Sequence, residues 1–331
     1  MNLFLRTLRY WSLCWGIVAC QPARQPYTTL EGQAQGTTFR IVYAGEGKAD
    51  FTKPVDSLFR LIDRSMSLWD STSLISRINR NEPNLRVDGH FTTVYERARQ
   101  IAEQTGGAFD VTVGPLVNAW GFSYKKGQPP PGPRLIDSLR QGVGYRKMHL
   151  LNGVLKKDHP NMALDFNALA QGYTVDLVAG FLEKYRVANY LVEIGGEVRA
   201  KGTNPTGEPW QVGIDKPVED DTHERILQTV VPLSGRSLAT SGSYRKFVVR
   251  NGKKFSHAID PRTGYPITHQ LLSVSVIADD CMTADAYATA FLVMGLEKAV
   301  PIARAQGMEL FGISYGAGGK LTVVATEGFG K

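Results

Sequence analysis

The sequence predicts an α+β protein of mixed, mainly antiparallel sheets with flanking helices. Three observations predict it. Helical and strand-like stretches do not alternate strictly, which argues against a doubly wound parallel sheet. The middle of the chain carries a series of short strand-like segments bounded by Gly, Pro or Asn, the pattern of antiparallel hairpins. Amphipathic stretches at helical spacing stand on either side of that series. Of 331 residues, 43% are hydrophobic and 21% charged. That ordinary globular composition excludes a disordered or collagen-like chain.

The N-terminus reads as a targeting segment. Arg6 and Arg9 precede the apolar stretch Trp11 to Ala19, which runs into Ile17-Val18-Ala19-Cys20. This is export-signal layout, and the apolar part is roughly half of the approximately 20 residues a bilayer-crossing helix needs. Small residues ahead of Cys20 resemble a bacterial lipobox, so residues 1–20 are expected to be a lipoprotein signal with Cys20 lipidated. Residues 21–32 are expected to be a polar tether and 33–331 the folded domain. The expected location is the periplasmic face of the inner or outer membrane, held by the N-terminal lipid.

Cys14 leaves with such a signal and Cys20 carries lipid, which leaves Cys281 as the single thiol of the body. An intramolecular disulfide and a thiolate zinc site are thereby excluded, and any metal must be held by oxygen or imidazole. The net charge is +7 with no basic run longer than a pair. Nucleic acid is therefore not an expected partner.

Residues 54–68 and 91–105 place apolar side chains at helical spacing, the second up to Gly106-Gly107. Residues 127–133 (GQPPPGP) are a loop. A third helix is expected over 168–185, with Leu169, Tyr173, Leu177 and Phe181 as its apolar stripe. Strands are expected at 190–194, 210–214, 228–233, 246–250, 255–259 and 271–278. Residues 282–294 read as a helix stopped by Gly295, 296–306 as another despite Pro301, and 308–314 and 320–326 as closing strands around a Gly-rich turn.

Four segments carry candidate chemistry, and each has a purely structural reading beside it. In 105–122 (TGGAFDVTVGPLVNAWGF) small residues surround one acid, Asp110, as where a ligand approaches backbone. Gly106-Gly107 is equally a helix stop. In 165–176 (DFNALAQGYTVD) Asp165 stands at the mouth of a helix whose free amides attract anions, or is simply its cap. In 256–266 (SHAIDPRTGYP) His257 is placed on a strand before a rigid turn, as a proton acceptor or as a hydrogen-bonded structural residue. In 283–290 (TADAYATA) Asp285 and Thr289 are four apart on one helix face. Two hard oxygens there suit Mg²⁺ or form a surface hydrogen bond.

Taken together with GTTF (36–39), MSLWDSTSLISRIN (66–79), VEIGGEVRAKG (192–202) and ATSGSYRKF (239–247), these segments closely resemble the FAD:protein FMN transferases, the ApbE family, over residues 34–326. The resemblance implies a two-lobed, T-fold-like architecture and an Mg²⁺-dependent enzyme. Such an enzyme cleaves FAD, attaches FMN by a phosphoester bond to a Thr or Ser of an acceptor flavoprotein carrying a Ser/Thr-Gly-Ala-Thr-like motif, and releases AMP.

Carried over by position, Trp69 is the aromatic beside the cofactor, and Ala108, Phe109 and Asp110 line the FAD site. Gln35, Asp165, Gln171 and Ile259 are further cofactor contacts. Asp285 and Thr289 ligate Mg²⁺ with the main-chain oxygen of Ala168, and His257 accepts the proton. The chain departs from the family at Gln171, where a charged residue is usual, and at Ala288, where some relatives carry a second acid. Those departures leave an FAD-storage protein, or a pyrophosphatase giving free FMN and AMP, as alternatives. Cys281, one helical turn before Asp285, reads as a buried small hydrophobe rather than a nucleophile.

Overall fold

Strand 271–278 alternates Ser273 and Ser275 with Val274 and Val276, but serine is small and both ends are apolar, so both faces can be covered. In the computed structural model all eight of its residues are buried. The structure describes residues 26–45, 50–122, 129–217, 226–244, 247–250 and 253–331. The export signal with Cys20 and the first residues of the tether lie outside the described residues, as do 127–128 of the expected loop.

The strands are β1 (Tyr27–Ala34), β2 (Thr37–Ala44), β3 (Met148–Leu151), β4 (Val154–Lys157), β5 (Tyr190–Ile194), β6 (Glu197–Lys201) and β7 (Trp210–Asp215). They continue with β8 (Leu227–Leu233), β9 (Arg236–Gly242), β10 (Phe247–Arg250), β11 (Lys253–Ser256), β12 (Leu271–Ala278), β13 (Glu309–Tyr315) and β14 (Leu321–Ala325). The helices are α1 (Thr52–Met66), α2 (Leu74–Asn79), α3 (Gly89–Gln104), α4 (Gly114–Trp120), α5 (Pro133–Arg140), α6 (Ala170–Lys184), α7 (Cys281–Met294) and α8 (Leu296–Ala305).

Eight strands form one antiparallel sheet in the order β1-β2-β5-β6-β9-β12-β13-β14. Side-chain alternation divides β12 between two cores. Val274 and Val276 face the helical side with α7, whereas Ile277 joins Phe311, Ile313 and the β7–β8 hairpin on the opposite face. The α+β expectation holds, and among the described residues no helix is long and apolar enough to cross a membrane.

Several local expectations change. The tether expected at 21–32 overlaps β1, which pairs with β2 along its whole length from Tyr27. The Leu169-Tyr173-Leu177-Phe181 stripe is not the main buried face of α6. Val175, Val178, Ala179 and Leu182 are, because α6 packs against the sheet on one side and α7 on the other.

α7 itself is apolar nearly all round, as a helix enclosed by protein must be. From Cys281 to Val293 every residue is buried except Thr289.

Candidate active site

Two tight contacts place α6 and α7. Gly172 stands where a Cβ would lie 2.4 Å from the Cys281 carbonyl oxygen and 2.9 Å from the Asp285 Cβ, so only glycine allows the helices this close. At that contact the Gly172 backbone N–H donates to Asp285 Oδ2 at 3.1 Å. Four residues along α6, Asp176 accepts the Cys281 and Met282 backbone N–H groups and pairs with Arg199 at 2.7 Å. The first turn of α7 is thus held by a carboxylate from its neighbour as well as by its own cap Asp280.

Asp285 is 6% exposed. Burial, partly offset by the Gly172 hydrogen bond, pushes its carboxyl up to about 7. One helical turn on, the Thr289 hydroxyl lies 2.9 Å from the Ser241 hydroxyl on β9.

The 105–122 segment builds the opposite wall. Gly106 and Gly107 both have positive φ (57° and 76°) and donate back to Glu103 and Ala102 carbonyls, so they are the helix stop of α3. The chain then turns so that Asp110 Oδ1 accepts from the Thr112 backbone and hydroxyl, at 2.8 and 2.6 Å, and Oδ2 accepts from Tyr145 N at 2.7 Å. Burial raises the Asp110 carboxyl while these bonds pull it down.

Asp165 is tied to this wall by its own N–H, which donates to the Val111 carbonyl at 2.7 Å. Its side chain is not the cap of α6. It accepts from Asn167 N at 2.9 Å in an Asx turn, while Leu169 precedes the helix without a side-chain cap. Burial raises this carboxyl too.

His257 is not on a strand. β11 ends at Ser256 and His257 lies in the following bend, its ring edge-on to Phe122 with centroids 6.4 Å apart. Ile259 re-enters a single antiparallel bridge with Pro266. Gln35 occupies the β1–β2 turn at φ 52°, a left-handed conformation that is uncommon outside glycine. Its amide donates to Thr174 on α6 at 3.0 Å. The Gln171 amide lies against Gly195, 2.0 Å from where a Cβ at that glycine would be.

Gln35, Trp69, Ala108, Phe109, Asp110, Asp165, Ala168, Gln171, His257, Ile259, Asp285 and Thr289 all line one cleft of about 430 Å³. All twelve residues singled out in the sequence therefore come together. Trp69 stands at it with 66% of its surface exposed. Ala288 does not reach the cleft and is fully buried, so its departure from the family pattern falls in the core. Cys281 is buried, and burial raises its thiol, which suits an inert core residue.

The cleft also takes in Glu197, Thr240, Ser241 and Gly242, none of them singled out in the sequence. Their signal lay in the GGEV and TSGS segments, where a polar residue follows or precedes glycine at a strand end. Among the described residues no group of three or more His, Cys, Asp or Glu side chains converges as a metal centre. The donors side by side on α7 are hard oxygens of mixed type, the Asp285 carboxylate and the Thr289 hydroxyl. That set fits Mg²⁺ completed by ligand phosphate or water.

The family model described as the ApbE family matches residues 35–311. The chain is 36% identical over 308 residues to the FAD:protein FMN transferase of Haemophilus influenzae, covering 89% of this chain and 88% of that protein. Among solved structures it superposes on the flavin transferase ApbE from Vibrio cholerae with TM-score 0.82 and 34% identity, covering 92% and 98% of the two chains. It also superposes on the apo flavinyl transferase ApbE of Pseudomonas stutzeri with TM-score 0.83 and 30% identity, covering 93% and 96%.

Proposed function

The chain belongs to the ApbE family, and from that premise we propose that it is an FAD:protein FMN transferase. It cleaves FAD and joins the FMN half to a Thr or Ser of an acceptor flavoprotein with a Ser/Thr-Gly-Ala-Thr-like motif. The observation that carries this reading is the convergence of Asp165, His257, Asp285 and Thr289, from three distant segments, on one cleft.

The chain's own groups divide the work. Trp69 offers an exposed aromatic face at the cleft for a flat ring system. Ala108, Phe109 and Ile259 give it apolar and backbone surface, with Asp110, Asp165, Gln35 and Gln171 as polar contacts. Asp285, Thr289 and the main-chain oxygen of Ala168 would hold Mg²⁺. When bound, the ion supplies neutralisation of the diphosphate charge that grows as the bridging oxygen leaves.

The acceptor hydroxyl oxygen bonds to the FMN-side phosphorus, and the bond from that phosphorus to the bridging oxygen breaks. AMP departs with that oxygen, and the hydroxyl proton passes to a ring nitrogen of His257. A hydroxyl needs such a base at neutral pH. We infer also that lipid on Cys20 tethers the enzyme at the periplasmic face of a membrane, where exported acceptors are met.

The test mixes the protein with FAD, Mg²⁺ and an acceptor domain bearing the motif, then seeks flavin fluorescence that survives denaturing electrophoresis. Labelled acceptor is the expected outcome. AMP without labelled acceptor would make the protein a pyrophosphatase, and tight FAD with neither product a storage protein. His257→Ala is expected to keep FAD affinity and lower transfer at least about a hundredfold. Transfer at the normal rate would remove His257 from this role.

A further inference from the structure

Thr289 is the one residue of α7 between Cys281 and Val293 that is only part-buried. Its hydroxyl has a protein partner, Ser241 Oγ, 2.9 Å away. Ser241 lies near the end of β9, directly across from Val274 of the buried strand β12, and α7 packs against β9 along this stretch. Both hydroxyls line the cleft that holds Asp285. The neighbouring hydroxyl, Thr240, is engaged elsewhere, 2.7 Å from Ser275 on β12. Ser241 and Thr289 therefore form a separate pair, anchored on one side by the sheet and on the other by a helix the core encloses.

A hydroxyl oxygen that gives a lone pair to a cation must send its proton away from it. A proton without an acceptor in a closed site costs the hydroxyl much of its value as a ligand. Groups that orient a ligand in this way commonly change metal affinity tenfold or more when removed. We propose that Ser241 is the positioning residue of the cation site: its Oγ accepts the Thr289 proton and so fixes a Thr289 lone pair toward the cleft. The inference rests on the reading of Asp285 and Thr289 as cation ligands and adds a residue to it.

The test is calorimetric titration with Mg²⁺ of the FAD-saturated protein, without acceptor. Ser241→Ala is expected to weaken Mg²⁺ binding by about ten- to a hundredfold, and Ser241→Thr, which keeps the acceptor oxygen, to restore most of it. The double variant S241A/T289V is expected to bind no more weakly than T289V alone, because Ser241 acts only through Thr289.

A hydroxyl pair that merely fastened helix to sheet would instead lower the melting temperature of the metal-free protein and leave Mg²⁺ affinity alone. Should S241A fail to fold, Ser241→Cys, of similar size but with a poor acceptor, is read in its place. Unchanged Mg²⁺ affinity, or losses that add in full in the double variant, would overturn the proposal. Wild-type protein that binds FAD but no Mg²⁺ would instead overturn the cation reading itself, and this inference with it.

Discussion

The interface between α6 and α7 holds two aspartates, one from each helix, and they are treated in opposite ways. Asp176, on α6, accepts two backbone N–H groups from the start of α7 and the Arg199 guanidinium. Asp285, on α7, is more deeply buried, and among the described residues a single backbone N–H, from Gly172, donates to it. Burial raises both carboxyls. The first has the partners a buried charge needs, and the second has its second oxygen left over in a cleft. Identical residue types at one interface are thus separated by their hydrogen bonds into a fastening and the carboxylate proposed as a ligand. Asp110 follows Asp176, with both oxygens engaged, and Asp165 follows Asp285.

The comparison breaks most sharply at Asp285→Asn. Transfer stimulated by Mg²⁺ is expected to fall at least about a thousandfold, roughly 4 kcal/mol of barrier, while the metal-free protein at pH 7 melts no lower than wild type. Parallel titrations of activity and melting temperature check both halves. A variant that keeps Mg²⁺-stimulated turnover would place the ligand elsewhere.

Asp176→Ala is expected to show the converse. Two N–H groups of α7 and the Arg199 charge lose their acceptor, at a cost of about 3 kcal/mol in unfolding free energy. FAD affinity measured well below the melting temperature stays close to wild type. Urea unfolding beside a flavin-binding isotherm decides it; a loss of FAD binding without a loss of stability would move Asp176 into the site.

How far this division was legible in the sequence can be judged from the same residues. Long, strongly periodic stretches declared themselves: α1, α3, α7 and β12 fall within two residues of expectation. Short helices such as α2 and α4, of six and seven residues, are too brief for a period to show. The tether expectation runs into β1 because an edge strand with one solvated face has no apolar run, and only its pairing with β2 reveals it.

In the site, each of Asp110, Asp165, His257 and Asp285 has a structural reading at least as good as the functional one until the order of motifs unites them. For Asp110 part of that structural reading is also true. Ser241 and Glu197 stayed hidden because a hydroxyl or carboxylate at a strand end says nothing until the neighbouring helix is in place. The bend at His257 is not legible in the sequence because apolar Ala258 and Ile259 continue a strand-like pattern that the turn in fact interrupts.

A pH profile sharpens the comparison further. In the metal-free protein Asp285 titrates near 7 when folded, against an ordinary value of 3.8. Between those values the unfolded chain has given up a proton that the folded chain keeps. The unfolded state therefore binds fewer protons, and stability falls as pH rises from about 4 to about 7, by about 4 kcal/mol at most. The difference in unfolding free energy between wild type and Asp285→Asn, measured in EDTA, should widen over that window in favour of the variant. Mg²⁺, which requires the ionised carboxylate, should bind more tightly as pH rises through 7 with release of a proton. A flat difference would mean that Asp285 titrates normally.

The smallest expected effect belongs to Trp69, and it tests whether the cleft's two sides act independently. Trp69 is exposed and anchors no core, so Trp69→Ala removes an aromatic face without touching the helix interface that holds Asp285. Stability should hold, and FAD affinity should fall about tenfold, roughly 1.4 kcal/mol of stacking and burial. Transfer at saturating FAD and the Mg²⁺ requirement should be unchanged, since neither is assigned to Trp69. Equilibrium titration of flavin fluorescence in wild type and variant, with and without Mg²⁺, reads all of this. If removing the tryptophan weakened Mg²⁺ binding as much as FAD binding, the aromatic mouth and the buried carboxylate would have to be treated as one coupled unit.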